Sequence, residues 1–518
     1  MDRIEKLNPG INAYINVNKG GAGANAAAAA NFATGANTAT TAATAATASA
    51  NVVTAATAAA TAADSCSDAT VVSAAAIASD AIARAQAAID AGCQKPLTGI
   101  PIGVSDNICT RDMPTTCGSR MLDGYRPPYD AAIVEKMLAQ DAVILGKLNL
   151  DEFSMGCTTE SSYSGRTLNP YDGSRSPGGA CGGAAAAVAS GLCAASVGVD
   201  SDGSVRLPAA FCGVTGFRPT YGLVSRYGCV AYASSFDQSG PLAASAADCA
   251  YLLNVISGQC DRDVTTLMSK KAKITRPKQT GIKGLRIGLI RELLGDHTSP
   301  EIRDAVYAAA KWYEDAGAIV SEVGIPMLKY GVSTINIIAC AEASSNLARF
   351  DGVRYGHRAA GASDYYDMVA KSRGEGLGIE VKRRILFGTH VLSGENMKKY
   401  YLRAIAVAND IKKQYFDVLA ECDALISPAA LRLPPVLGTP QLPVLPDICQ
   451  VGAALAGLPC VTTPCGYAES GNDPLPIGFM ITCNRFADYL ALSLAEAFES
   501  GFVRRAPSMA GDWKGFIE

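Results

Sequence analysis

Residues 175–222 read RSPGGACGGAAAAVASGLCAASVGVDSDGSVRLPAAFCGVTGFRPTYG, and this stretch restricts the fold more than any other. Gly178, Gly179, Gly182 and Gly183 stand immediately ahead of an alanine-rich run of helical character. Glycines before a helix N-terminus let backbone amides converge on an anion, because no Cβ blocks the approach. A nucleotide-phosphate loop would continue with Gly-Lys-Ser/Thr, and no such sequence follows. Further on, residues 194–199 have the composition of a buried strand and run into Asp200-Ser201-Asp202-Gly203-Ser204. A serine leaving a strand on a tight loop is one way to display a nucleophile beside an oxyanion hole. The same five residues also suit an ordinary polar turn, and composition leaves both readings open.

Around this centre the chain alternates helical and strand-like periods. The apolar run at 97–104 predicts a buried strand. Asp130 predicts a cap for a periodic segment reaching Gln140, and a second strand follows at 142–145 before Gly146. A strand at 285–290 leads to Ser299-Pro300-Glu301, a helix start with proline at the first helical position. Gly317 closes that helix and 318–323 returns as a strand, giving a β–α–β unit. Near the end, a strand at 477–481 is followed by a helix at 487–498. No Pro/Ser linker divides the chain after residue 80, so one large α/β domain is predicted.

Charge excludes one class of partner. The 518 residues carry 45 Lys+Arg against 48 Asp+Glu, a net −3, so no basic surface is available as a nucleic-acid handle. Charged residues reach only 18%, partly because none occurs from Gly20 to Ala63, where Ala and Thr fill most positions. Thr, Asn and Gly interrupt that run and Leu and Ile are absent, which argues against a membrane span. Its threonines also weaken independent helix formation, so 20–80 is expected to be a low-complexity insertion. The N-terminal MDRIEKLNPG lacks the apolar core of a secretory signal. The 17 cysteines are dispersed without a C-x-x-C pair, which suits reduced thiols in place of small core residues. With His297, His357 and His390 as the full complement of histidines, no zinc spacing can be assembled, and no metal site is expected.

Taken together, the motifs resemble the amidase signature family, and within it the A subunits of aspartyl/glutamyl-tRNA amidotransferases. The likeness is carried by INAYINV at 11–17, PLTGIPIG at 96–103, DNICT at 106–110, PPYDAAIVEKM at 127–137 and AVILGKLNLDEFSMG at 142–156. It continues through RPTYGLVSRYG at 218–228, EASSNLARFDGVRYG at 342–356, EVKRRI at 380–385 and ALAGLP at 454–459. The resemblance implies an α/β amidase signature fold, one large mixed β-sheet covered by helices on both faces. Residues 1–19 would open that domain and 81–518 complete it. It further implies B and C subunits as partners, glutamine as substrate or ligand, tRNA contact only through the partner, and a cytoplasmic setting. No cofactor is implied in this chain, since ATP and Mg²⁺ would belong to the partner's reaction.

Enzymes of the family use a Ser–cis-Ser–Lys triad. The resemblance places Ser204 at the nucleophile, with Arg206 following as the motif expects. The lysine position is Ser105 and the bridging serine position is Ala180, flanked by Cys181, with Ala184 closing the loop. Ser201, Asp202 and Gly203 form the oxyanion loop, in which Asp202 replaces a glycine; a side chain there would clash if that position needs positive φ. A carboxylate also opposes an oxyanion developing nearby. Arg384 and Asp447 match the pair that clamps glutamine's α-carboxylate and α-amine, although each also has a plainer reading, as a surface charge on a basic helix and as a cap after Pro446. A pocket tyrosine aligns with Ile335. Lys147 belongs to a structural motif, and Cys181 is a substitute nucleophile without an identifiable base or else a small buried residue. Because a cis peptide before a non-proline residue costs about 3–4 kcal/mol, a trans peptide is expected at Ala180. The resulting expectation is an amidase-fold subunit with glutaminase activity lost or severely reduced. The alternatives are an active amidase with an unrecognised base and a non-catalytic glutamine-binding or scaffold subunit.

Overall fold

Short apolar and β-branched runs supply the strands, and in the computed structural model eleven of them join one mixed sheet. The structure describes residues 2–17, 83, 86–92, 95–266, 281–439, 447–469 and 474–507. The insertion expected at 20–80 lies outside the described residues. In chain order the strands are β1 (Tyr14–Val17), β2 (Pro101–Ser105), β3 (Val143–Leu148), β4 (Ala195–Asp200), β5 (Thr215–Arg218) and β6 (Gln238–Ala243). They continue as β7 (Arg286–Ile290), β8 (Ile319–Val323), β9 (Ala424–Pro428), β10 (Cys460–Ala468) and β11 (Leu475–Cys483). Across the sheet the order is β1-β3-β2-β4-β6-β5-β10-β11-β9-β7-β8. β2 runs parallel to both β3 and β4, and β7 parallel to β8 and β9, whereas the β4–β6, β5–β6 and β10–β11 pairs are antiparallel.

The helices are α1 (Asp2–Ile11), α2 (Ala132–Leu138), α3 (Gly182–Ala189), α4 (Arg206–Phe211), α5 (Ala246–Ile256) and α6 (Pro300–Asp315). After them come α7 (Gly331–Asn346), α8 (Tyr365–Gly376), α9 (Ile379–Leu392), α10 (Leu402–Glu421), α11 (Ile448–Ala456) and α12 (Asp488–Glu499). Strands β2 to β6, β9 and β11 are buried along their whole length, the mark of a sheet covered on both sides. Neighbouring residues of β11 show the two faces. Phe479 joins a core with Ile133 of α2, Leu252 of α5, Val306 of α6 and Leu492 of α12. Met480 joins the other, with Ile338 of α7, Val381 of α9, Ile411 of α10 and Val451 of α11. Helices therefore cover both faces, as expected.

The β7–α6–β8 unit stands as read, with Ser299 before the helix and Pro300 at its first position. Three boundaries move. The apolar residues from Leu97 to Ile100 form a turn instead of the first half of a strand, closed by Ile100 N donating to Leu97 O at 3.0 Å with Gly99 at φ +75°. Asp130 does not cap α2, because its carboxylate accepts from Arg111 N at 2.7 Å and the helix begins behind Ala131. β3 also runs on through Gly146 to Leu148.

Candidate active site

Three chain segments meet at one end of parallel neighbours β2 and β4. Val104 registers with Val197, so Ser105 at the end of β2 and the loop that follows Asp200 leave the sheet on the same side. The glycine-rich loop ahead of α3 packs between them. Ser105 is fully buried and its Oγ lies 3.6 Å from Cys181 Sγ, which in turn lies 3.6 Å from Val199 O. Cys181 N donates to Ser204 O at 3.1 Å, joining the glycine-rich loop to the loop after β4. Burial pushes the Cys181 thiol up to about 12, so it stays protonated at neutral pH.

The Gly179–Ala180 peptide is cis, which corrects the expected trans bond. That expectation rested on the missing hydroxyl, yet the loop is held by its backbone. Ala180 O accepts from Asp151 N at 2.9 Å and from Thr159 Oγ1 at 3.2 Å, and Gly178 O accepts from Thr159 Oγ1 at 2.7 Å. A Cβ on Gly179 would stand 2.3 Å from Asp151 Oδ2 and 2.6 Å from Cys157 C, so glycine alone allows this approach.

Ser204 is 1% exposed and its Oγ donates to Asp202 Oδ1 at 3.4 Å. The positive φ in this loop falls on Gly203 (+122°), not on Asp202. The backbone clash expected at 202 therefore does not arise, and the aspartate fits where it stands. Burial pushes the Asp202 carboxyl up to about 6, with the Arg384 guanidinium as the leading opposing influence. Asp200, two residues earlier, behaves oppositely. Burial alone would raise it, but Arg206 and Arg218, at 3.0 and 3.1 Å and equally inaccessible to solvent, hold its carboxyl far below the usual carboxylate range. Asp200 also accepts from Gly203 N at 3.0 Å and Val205 N at 3.2 Å, which fixes the loop and engages two of its amides.

Arg384, on α9, is 2% exposed, which rules out the surface-charge reading. Its Nε donates to Glu380 Oε1 at 2.7 Å and its Nη1 to Tyr232 Oη at 2.5 Å. Tyr232 N donates to Asp237 Oδ2 at 3.0 Å, and Ser201 Oγ donates to Asp237 Oδ1 at 2.6 Å. A hydrogen-bonded chain thus links Arg384 to the loop of Ser204. Asp447 caps α11, accepting from Cys449 N at 2.9 Å and Leu431 N at 3.1 Å. Its plainer reading is correct as a structural role, and no hydrogen bond joins it to Arg384. Ile335 is buried on α7 among apolar neighbours.

Lys147 is turned away from the site. It registers with Val104 while Leu148 registers with Ser105, and successive strand residues point to opposite faces. Its Nζ serves Ile108 O, Thr110 Oγ1, Thr115 Oγ1 and, at 3.7 Å, Asp106. Sequence reasoning missed Asp151, Tyr232, Asp237 and Glu380. Only Glu380 left a local signal, the i,i+4 spacing to Arg384 on one helix. Among the described residues no group of three or more His, Cys, Asp or Glu could hold a metal ion, and no helix is long and apolar enough to cross a membrane.

The Amidase family model matches residues 51–492. The A subunit of glutamyl-tRNA(Gln) amidotransferase from Chromohalobacter salexigens is 46% identical over 423 residues, covering 81% of this chain and 86% of that protein. The same subunit from Methanosarcina barkeri is 44% identical over 437 residues, covering 83% and 91%. Among solved structures, the A subunit from Thermotoga maritima matches with a TM-score of 0.68 at 38% identity, over 79% of this chain and 86% of that one. The native peptide amidase of Stenotrophomonas maltophilia gives 0.72 at 29% identity, over 83% and 88%. Matched by that family model over most of its length and by these relatives, the chain belongs to the amidase signature family and is similar, over about four-fifths of its length, to A subunits of glutamyl-tRNA(Gln) amidotransferase.

Proposed function

We propose that this chain is an amidotransferase A-type subunit that keeps the fold and its partner surfaces while its own glutaminase step is lost or severely reduced. One observation carries the reading: the two positions where the family places its base and its relay, Ser105 and Ala180, hold a hydroxyl and a methyl group. A serine hydroxyl is a poor nucleophile at pH 7 unless an adjacent base accepts its proton. At the base position Ser105 faces Cys181, a hydroxyl against a protonated thiol, and the bridging position is a methyl group on Ala180. Removing the base from a serine triad costs on the order of 10⁴–10⁶ in turnover, since its members act as a unit. Partners would be B- and C-type subunits, with ATP, Mg²⁺ and tRNA handled there.

A second reading is favoured by a specific contact. Asp202 Oδ1 accepts from Ser204 Oγ at 3.4 Å, and a carboxyl with its pKa at about 6 is mostly ionised at pH 7, so it is a proton acceptor in place. The two readings separate in a glutaminase assay with B and C partners, run on the unaltered chain, on Asp202→Asn, and on the Ser105→Lys/Ala180→Ser/Asp202→Gly revertant. The expected result is ammonia release from the revertant only. Turnover by the unaltered chain at the rate of active A subunits, abolished by Ser204→Ala and by Asp202→Asn, would establish Asp202 as the base and sink the degenerate reading.

A further inference from the structure

Helix α9 packs one face inward and leaves an apolar and basic stripe outside. Val381, Arg384, Gly388 and Val391 are its buried residues, and Gly388 comes so close to Cys340 O of α7 that a Cβ would not fit. The outward positions are Ile379, Arg383, Leu386 and His390, spaced i, i+4, i+7 and i+11 and therefore aligned along one side of the helix. Ile379 is 84% exposed and Leu386 71%, and seven residues set them about 10 Å apart along the axis. Single exposed apolar side chains are ordinary, but two at heptad spacing, on a helix whose other face is already packed, make a seam without a partner. The seam continues past the helix end. Asn396 Nδ2 donates to His390 O at 3.2 Å, and the Tyr400 ring centroid lies 6.2 Å from that of His390. The π-helical turn Met397–Tyr401 therefore sits beside the last turn of α9 and adds the exposed Met397, with Leu402 after it.

Charge around the seam has one sign. From Ile379 to Arg403 there are six Lys and Arg against two Glu, in a chain whose net charge is −3. Of the two carboxylates, Glu380 is already engaged by Arg383 at 2.6 Å and Arg384 at 2.7 Å. Lys398, Lys399 and Arg403 are exposed and pair with no carboxylate among the described residues. We propose that the outer face of α9, with the turn that follows it, docks an acidic amphipathic helix of a partner chain. Heptad-spaced aliphatic side chains seat in the surface of a facing helix, and flanking cations meet acidic residues beside that seam. The aliphatic character speaks against single-stranded RNA, which is gripped by aromatic stacking. A stripe with Arg383 between its two apolar residues is too narrow and interrupted for burial in a lipid surface. The assignment goes beyond the functional reading above and requires no chemistry at Ser204.

The test uses the full chain and a fluorescein-labelled peptide of about three heptads, with leucine at a and d and glutamate at e and g. A second peptide has the same composition with its leucines permuted to leave no apolar face. Fluorescence anisotropy should give saturable micromolar binding for the first and at least about tenfold weaker binding for the second. Leu386→Glu and Ile379→Glu change exposed positions and should each weaken the amphipathic peptide by at least about tenfold, with melting temperatures not lowered. Lys398→Gln/Lys399→Gln should weaken it severalfold and reduce its salt dependence. Equal binding of the two peptides, an affinity untouched by Leu386→Glu, or no saturation at about 100 μM peptide would each overturn the proposal. Polyuridylate or phosphatidylserine vesicles binding more tightly than the peptide, with loss in the same variants, would overturn it in favour of a nucleic acid or a lipid surface.

Discussion

Asp200 and Asp202 lie two residues apart, and their opposite surroundings make opposite contributions to stability. Asp200, clamped by two guanidinium groups, has a depressed pKa, so its contribution is present above its unfolded value and is lost only in strong acid. Asp202 has its pKa raised to about 6 by burial. Its favourable contribution is therefore full below the unfolded value, fades as pH rises toward 6, and is absent above it. Over that interval the unaltered chain should lose about 3 kcal/mol through this residue, the equivalent of a two-unit shift. Asp488 lies at about 6 for the same reason and adds a parallel loss. Denaturant unfolding at pH 4 and pH 7 should show Asp202→Asn losing clearly less between the two than the unaltered chain; an identical loss would show that Asp202 is not held protonated by burial. At this scale the sequence was legible for positions and not for environments. It located Ser204, Ser105, Ala180 and Arg384, but the burial of Arg384 depends on Tyr232 and Asp237, which lie far from it in sequence and come near only through β6.

Helix α11 carries Asp447 at its N-cap, and that role can be separated from any contact with a ligand. The carboxylate accepts from Cys449 N and Leu431 N, so it both starts the helix and pins the segment that follows β9. Asn keeps one acceptor oxygen for Cys449 N but places an NH2 donor opposite Leu431 N, whereas Ala keeps neither acceptor. Thermal unfolding should therefore show Asp447→Asn destabilised through the lost Leu431 bond, and Asp447→Ala less stable than Asp447→Asn by about a further 1 kcal/mol for the cap. Equal destabilisation by both would mean that the cap bond from Cys449 N contributes nothing and that the second carboxylate oxygen holds the segment. Elements of this kind are readable where local chemistry marks both ends, as at Ser299-Pro300 and Gly317 around α6. They are misread where an apolar run serves tertiary packing, as at Leu97, which is buried in a turn because its amide donates to Gln140 O. Sheet order was beyond local reading, since β5 pairs with β10 across more than two hundred residues with no short-range signal.

One carboxylate at the end of α12 joins four separate segments of the chain. Glu499 Oε1 accepts from Thr215 Oγ1 and Thr463 Oγ1 at 2.6 Å and from Arg504 Nη2 at 2.7 Å, while Oε2 accepts from Ala246 N at 2.8 Å. Thr215 opens β5, Thr463 lies in β10, Ala246 opens α5, and Arg504 belongs to the segment after α12. β5 and β10 are neighbours at the middle of the sheet, so the group ties the C-terminal end of the described chain to its centre. The ion pair is asymmetric in what each partner would leave behind. Without Arg504, Glu499 keeps two hydroxyl donors and a helix N–H. Without Glu499, the helix amide and both threonines lose their acceptor and a guanidinium only 21% exposed loses its counter-charge. Glu499→Ala should accordingly cost about 2–4 kcal/mol and Arg504→Met about 1 kcal/mol, read from denaturant midpoints. In the double variant no guanidinium is left without its carboxylate, so the two losses should sum to more than the loss measured for the pair. Strict additivity would mean that the carboxylate acts through the threonines and the helix amide alone, and that the C-terminal segment is held by Tyr171 Oη donating to Arg505 O.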